Sequence, residues 1–291
     1  MSSVPNLMCE QASGSPPATL PCAVCRTQSR CEAGFADIRL FRCPQCQHCF
    51  TDLGSLEREE QYRVQYFDED HKNWNKHADL RLFERIYRLI LRNRANASVL
   101  DVGCGKGNFL RYLRKRDPRL LLAGIDMSPN EYCDGIEFLC GDFLSWKFNQ
   151  KFDVVVSLQV IEHVSDPRMF VRRVLDLCSD SALVITNTIN EQSVLYDAAR
   201  LARSLRCIRA YERLYSRHHL NHFNISSLRR LMESMGLKTE RHLRHRAPVS
   251  AMDIPAPNKF MELVFRAGVW GTFVVGDLTG RSTYQTTICR K

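Results

Sequence analysis

A chain of 291 residues has room for one large α/β domain and a small module, and 44% hydrophobic with 25% charged residues excludes wholesale disorder. No apolar run approaches the roughly 20 residues that cross a bilayer, and the first residues lack the basic start and apolar stretch of a secretory leader, so the expected location is cytoplasmic. The formal net charge of +9 points to acidic partners: a phosphorylated or nucleotide-linked small molecule, a nucleic acid, or an anionic membrane face.

Residues 1–20 are rich in Ser, Pro and Ala and read as a flexible tail. Of the 13 cysteines, six fall between Cys22 and Cys49, a distribution that fits reduced thiols and one metal site better than a disulfide scaffold. Cys22-x2-Cys25 and Cys43-x2-Cys46 stand 17 residues apart, the spacing of a four-thiolate zinc ribbon. A structural Zn2+ would replace the core that so short a module, residues 21–50, cannot bury. Cys31, His48 and Cys49 are spare ligands. Residues 51–95 form a connector and then a helix over 77–92, where Leu80, Phe83, Tyr87, Ile90 and Leu91 recur at helical spacing.

Beyond residue 96 the pattern alternates. Strands are expected at 97–102, 120–126, 136–140, 152–157 and 182–188, with helices at 108–116 and 167–177. Such alternation implies right-handed crossovers, a mostly parallel α/β sheet of Rossmann-like type, and functional residues just after the strands. Leu228, Leu231, Met232 and Met235 form one face of a later helix that Asn224 or Ser226 caps and Gly236 ends. Residues 238–243 and 283–289 supply two final edge strands.

The strongest local signal runs from Val99 to Leu110: a buried strand, the turn Gly103-Cys104-Gly105-Lys106-Gly107, and a helix. Glycine permits positive φ and lets a ligand approach the backbone without meeting a Cβ. A dinucleotide fingerprint would place its third glycine one residue later, at Asn108. The tighter turn, with Asp101 two residues upstream, resembles the first motif of class I S-adenosylmethionine-dependent methyltransferases.

That resemblance covers about two-thirds of the chain, residues 96–291, and implies roles residue by residue. Asp101, Gly103, Gly105 and Gly107 would lie along the methionine portion of S-adenosylmethionine. Asp126, with Met127 beside it, matches the acidic residue that holds the ribose hydroxyls. Asp142 matches the one beside the adenine amino group, with Phe143 against the ring. Gln159, at the edge of the fourth strand, would face the cofactor.

The Glu162-His163 pair and the Asp166-Pro167 helix start are common in the branch that methylates small molecules. Methyl transfer from a sulfonium is an in-line displacement, so an acceptor hydroxyl or amine needs chiefly alignment and a base. His163, His218, His219 and His222 are the candidate bases. The run Phe41 to Phe50 resembles the N-terminal metal-binding segment of sugar and natural-product methyltransferases. In those, glycine commonly follows the last cysteine, where this chain has Gln47.

Arg200, Arg203, Arg206, Arg209, Arg213 and Arg217 recur every three or four residues, as on a solvated helix face or a phosphate site. An apolar stretch from Phe260 to Val275 fits a pocket lid or a homodimer contact, with shallow membrane contact as a weaker reading. The expected function is methylation of a small molecule, a sugar or sugar nucleotide preferred, with O-methylation ahead of N- or C-methylation. The competing readings are an RNA methyltransferase that binds through the ribbon and the arginine row, and a catalytically silent scaffold. Only Arg26, Arg30, Arg39 and Arg42 lie in the ribbon, which favours the small molecule.

Overall fold

The structure is a computed structural model that describes residues 17–56, 78–246, 248–249 and 258–291. Most of the expected tail and the connector at 57–77 lie outside the described residues.

The larger sheet has seven strands in the order β11-β12-β9-β8-β5-β6-β7. Its parallel part comprises β5 (Ser98–Val102), β6 (Leu121–Asp126), β7 (Ile136–Cys140), β8 (Phe152–Leu158) and β9 (Cys178–Ile189). The last strand, β12 (Tyr284–Arg290), inserts antiparallel between β9 and β11 (Lys238–His245). This is the expected mostly parallel α/β architecture. The chain moves from β5 outward through β6 to β7, then returns to the other side of β5 with β8 and β9. The edge between β5 and β8 is therefore the topological switch point, where open parallel sheets bind ligands.

Near-continuous apolar runs let the central strands β5 and β8 bury both faces. On β5, Val99 packs with Phe83, Ile86 and Ile90 of α1 (Leu80–Asn93) and Leu110 of α2 (Asn108–Arg116). Leu100 and Val102 belong to the opposite cluster, with Phe170, Val171 and Val174 of α3 (Pro167–Leu177). Asp166 caps α3, accepting from the backbone N–H groups of Arg168 and Met169, and Pro167 opens its first turn.

The smaller sheet is antiparallel, in the order β1-β2-β3-β4-β10. It contains β1 (Thr19–Pro21), β2 (Gln28–Phe35), β3 (Ile38–Arg42), β4 (Cys49–Thr51) and β10 (Asn221–His222). Thr19 and Leu20, expected in the tail, already pair with Arg30 and Ser29. Two pairings, Asn221 with Phe50 and His222 with Cys49, join the cysteine segment to a loop of the larger domain. Patterning could not foresee that union, because β10 is only two residues long.

The arginine row does not form one solvated face. It is divided between α4 (Val194–Ser204) and α5 (Arg209–Leu214), with Arg206 in the turn at φ +65°. Arg200 pairs with the buried Glu191 at 2.7 Å, Arg203 lies 4.4 Å from the centroid of the Tyr211 ring, and Arg217 pairs with Asp37. α6 (Ile225–Ser234) begins at Asn224, whose capping box is closed by Ser227, so Ser226 is not the cap. The apolar stretch at 260–275 is part of α7 (Lys259–Thr279), which leaves Phe260, Leu263, Trp270 and Leu278 exposed. No helix among the described residues is long and apolar enough to cross a membrane.

Candidate active site

The three loop glycines take left-handed backbone, with φ +68° at Gly103, +52° at Gly105 and +71° at Gly107. Two of them are also closely packed. A Cβ at Gly103 would stand 2.5 Å from Val160 Cγ2, and one at Gly107 2.6 Å from Phe138 Cζ. A Cβ at Gly105 would meet nothing within 4 Å, so the middle of the turn borders open space.

Two carboxylates stand near the ends of the strands beside this turn, Asp101 on β5 and Asp126 on β6. Asp126 ends β6 and accepts the Gly105 N–H at one oxygen and the Ser128 N–H at the other, both at 2.9 Å. These bonds tie the end of β6 to the glycine turn and leave each oxygen further acceptor capacity. Asp101 is 2% exposed, and its Oδ1 has no hydrogen-bond partner. Burial, then the charge of Asp126, pushes its pKa well above the usual carboxylate range. A cationic partner beside Oδ1 would supply the missing interaction and favour the ionised form.

Met127, next to Asp126, is 54% exposed. Asp142 accepts from the Leu144 N–H at 3.1 Å and the Ser145 hydroxyl at 2.9 Å, so it shapes its own turn. Phe143 is buried, with ring centroids 5.4 Å from Phe170 and 6.2 Å from Phe148. Gln159 sits just past β8 at φ +59°, and its Nε2 donates to Asn187 Oδ1 at 2.5 Å.

Of the four histidines, His163 and His219 meet, with ring centroids 5.0 Å apart, and His163 Nδ1 lies 2.7 Å from the His218 carbonyl. The Leu220 and Asn221 N–H groups donate to the Glu162 carbonyl, which holds this loop against the one after β8. His222 lies further in, its ring centroid 6.4 Å from that of His219. It is enclosed, 4.7 Å from the Tyr215 ring, and burial drives its pKa well below the imidazole value.

The Sγ atoms of Cys22, Cys25, Cys43 and Cys46 all lie within 4.8 Å of one another. Contacts of 3.4 Å for Cys25 with Cys43 and 3.6 Å for Cys22 with Cys46 are far too long for disulfides. They approach the roughly 3.8 Å edge of a tetrahedron with 2.3 Å metal–sulfur bonds. The other candidates turn elsewhere: His48 Nε2 to Asn221 Oδ1 at 3.3 Å, Cys49 to Glu32 at 3.9 Å, and Cys31 to the Ala33 carbonyl at 3.9 Å.

The sequence model of the methyltransferase domain family matches residues 74–242, more than half of the chain. The chain belongs to that family. Among curated relatives, malonyl-[acyl-carrier protein] O-methyltransferase of Acetivibrio thermocellus is 27% identical over 151 residues, 46% of this chain and 53% of that protein. Trans-aconitate 2-methyltransferase of Mycobacterium tuberculosis is 33% identical over 111 residues, 36% of this chain and 42% of that one. The chain thus spans about half the length of the curated relatives it matches.

Solved structures share the fold. Burkholderia thailandensis 1,6-didemethyltoxoflavin-N1-methyltransferase, with S-adenosylhomocysteine bound, aligns with TM-score 0.51 and 12% identity over 86% of this chain and 98% of that one. A chain from the complex of the Haloferax volcanii Trm112 methyltransferase activator with its methyltransferase aligns with TM-score 0.52 and 16% identity, over 78% and 91%.

In this methyltransferase domain, two residues beside Gln159 escaped the sequence reading. Asn187 Nδ2 lies 2.9 Å from His245 Nε2, so Gln159, Asn187 and His245 form a hydrogen-bonded line across β8, β9 and β11. The only local signal was a polar run, Thr186-Asn187-Thr188, inside an otherwise apolar strand. His245 gave none, because it reaches the line only through the pairing of β11 with β12.

Proposed function

We propose that the chain is an S-adenosylmethionine-dependent methyltransferase of a small molecule, with residues 96–291 as its catalytic domain and a sugar or sugar nucleotide, methylated at oxygen, as the preferred acceptor. The observation that carries the reading is the open space at Gly105, bordered by the Asp126 carboxylate that accepts the Gly105 N–H, with the buried, unpartnered Oδ1 of Asp101 on the strand that leads into the turn. The acceptor preference rests on the resemblance of residues 41–50 and 152–167 to sugar and small-molecule methyltransferases.

The residues present fit the cofactor. Gly103, Gly105 and Gly107 would offer backbone to its methionine portion, and Asp101 a carboxylate to its ammonium group. Asp126 would accept the ribose hydroxyls, with Met127, Asp142 and Phe143 on the adenine side and Gln159 facing the cofactor from the edge of β8. Bound there, the cofactor supplies an electrophilic methyl group. The protein's share is to align the acceptor, exclude water and hold its departing proton. For that proton the enclosed His222 is poorly placed, so the choice narrows to His163, His218 and His219. Cys22, Cys25, Cys43 and Cys46 would hold a structural Zn2+, and the apolar face of α7 suits the homodimer contact.

Calorimetric titration with S-adenosylhomocysteine tests this reading. Asp126→Ala is expected to weaken binding at least about tenfold, the loss of one or two charge-assisted hydrogen bonds. Unchanged affinity would remove the ribose assignment, and no binding to the wild-type protein would remove the function.

A further inference from the structure

A cleft of about 450 Å³ opens between the start of α1, the end of β11 and the end of α7. Four arginines, Arg81, Arg85, Arg244 and Arg246, line it against two carboxylates, Asp79 and Asp277. Each carboxylate already accepts a hydrogen bond. Asp79 caps α1 by accepting the Leu82 N–H at 3.0 Å and lies 3.8 Å from His245 Nδ1. Asp277 accepts the Ser282 hydroxyl at 2.9 Å and pairs with Arg246 at 3.4 Å. The side chains of Arg81, Arg85 and Arg244 make no hydrogen bond or ion pair among the described residues.

Their placement is unfavourable without a counter-charge. Arg81 and Arg85 are four apart on one helix face, where like charges repel. Both lie near the N-terminus of α1, where the helix dipole favours an anion and the capping Asp79 carboxylate is the one acidic group beside two arginines. Burial pushes the pKa of His245, on the cleft wall, down to about 4, so it adds no positive charge near neutral pH. A phosphoryl group would answer all three free guanidinium groups, because their donors match its oxygens in charge and geometry.

The cleft also adjoins the proposed reaction site. His245 lines it and is joined through Asn187 to Gln159 at the edge of β8. We infer that this cleft binds a phosphate or diphosphate group of the acceptor, with Arg81, Arg85 and Arg244 as specificity-determining residues. The inference rests on the methyltransferase reading for its link to catalysis, and it transfers phosphate recognition from the 200–217 arginines to this cleft.

Pyrophosphate and uridine diphosphate binding is measured by calorimetry at fixed ionic strength, with S-adenosylhomocysteine affinity measured separately. Co-sedimentation with phosphatidylcholine vesicles containing phosphatidic acid covers a lipid-borne phosphate. The double variant Arg81→Gln, Arg244→Gln should lose about tenfold or more in binding the soluble phosphates, the vesicles, or both, with cofactor affinity unchanged. The arm that responds names the source. Arg206→Gln, on the turn between α4 and α5, should change none of them. The inference is overturned if no probe binds the wild type, or if the double variant binds every probe as well as the wild type does. Failure of S-adenosylhomocysteine to bind would instead count against the methyltransferase reading, leaving the phosphate result to stand alone.

Discussion

Glu162 shows how burial alone sets chemistry at single residues. It is 1% exposed, accepts the Thr188 hydroxyl at 2.8 Å through Oε2, and has no partner for Oε1. Burial raises its pKa from 4.5 to about 7. Below pH 4.5 both folded and unfolded chains hold the proton. Between pH 4.5 and about 7 only the folded chain does, so stability falls as pH rises, by roughly 3 kcal/mol for this group. Glu162→Gln should abolish that component. Urea titrations at pH 5 and pH 8 check it, and an equal pH-dependent loss in both proteins would refute the assignment. Sequence marked Glu162 only as half of a Glu-His pair, since its enclosure depends on Thr188 from the neighbouring strand.

Among the elements, the two cysteine knuckles repeat one local geometry. Arg26 and Gln47, each directly after the second cysteine of its pair, are left-handed at φ +64° and +56°. A residue with a Cβ pays about 1 kcal/mol there, which explains the preference for glycine at the second position in the segments that residues 41–50 resemble. Gln47→Gly should raise stability by no more than about 0.5 kcal/mol after the extra chain entropy of glycine is deducted. The Gln47 carbonyl would still accept from Asn224 Nδ2 at 2.9 Å, since that bond uses only backbone on the Gln47 side. A lower denaturation midpoint would show that the side chain matters more than its backbone angle. Asn224 itself serves two elements, capping α6 while holding the second knuckle, a double duty that a capping signal in sequence cannot reveal.

Across the whole molecule, the cysteine segment and the larger domain share one core. Cys22, Val24, Phe41, Cys43 and Phe50 cluster with Phe223, Leu228 and Met232. Arg42 crosses the same boundary with a two-pronged ion pair to Glu191, at 2.8 and 3.2 Å, and Tyr215 also donates to that carboxylate at 2.6 Å. If the four thiols hold zinc, removing it with a chelator should lower the melting temperature of the entire chain in one cooperative transition. It should also weaken methyl transfer, because β4 and β10 brace the histidine loop. Circular dichroism melts would refute this shared core if they showed the larger domain unfolding at its original temperature.

Short-range chemistry was enough to locate the glycine turn, Asp101, Asp126, the paired knuckles and the alternating strands, because each depends on φ, side-chain period or ligand spacing within a few residues. Folding alone brought Asn187 to His245, arginines from α1 and β11 into one cleft, and β10 onto the cysteine sheet. Those meetings join residues 58 to 173 positions apart. They arise from the order in which strands pair, a long-range outcome of burying two sheets and their helices together, which no local pattern encodes.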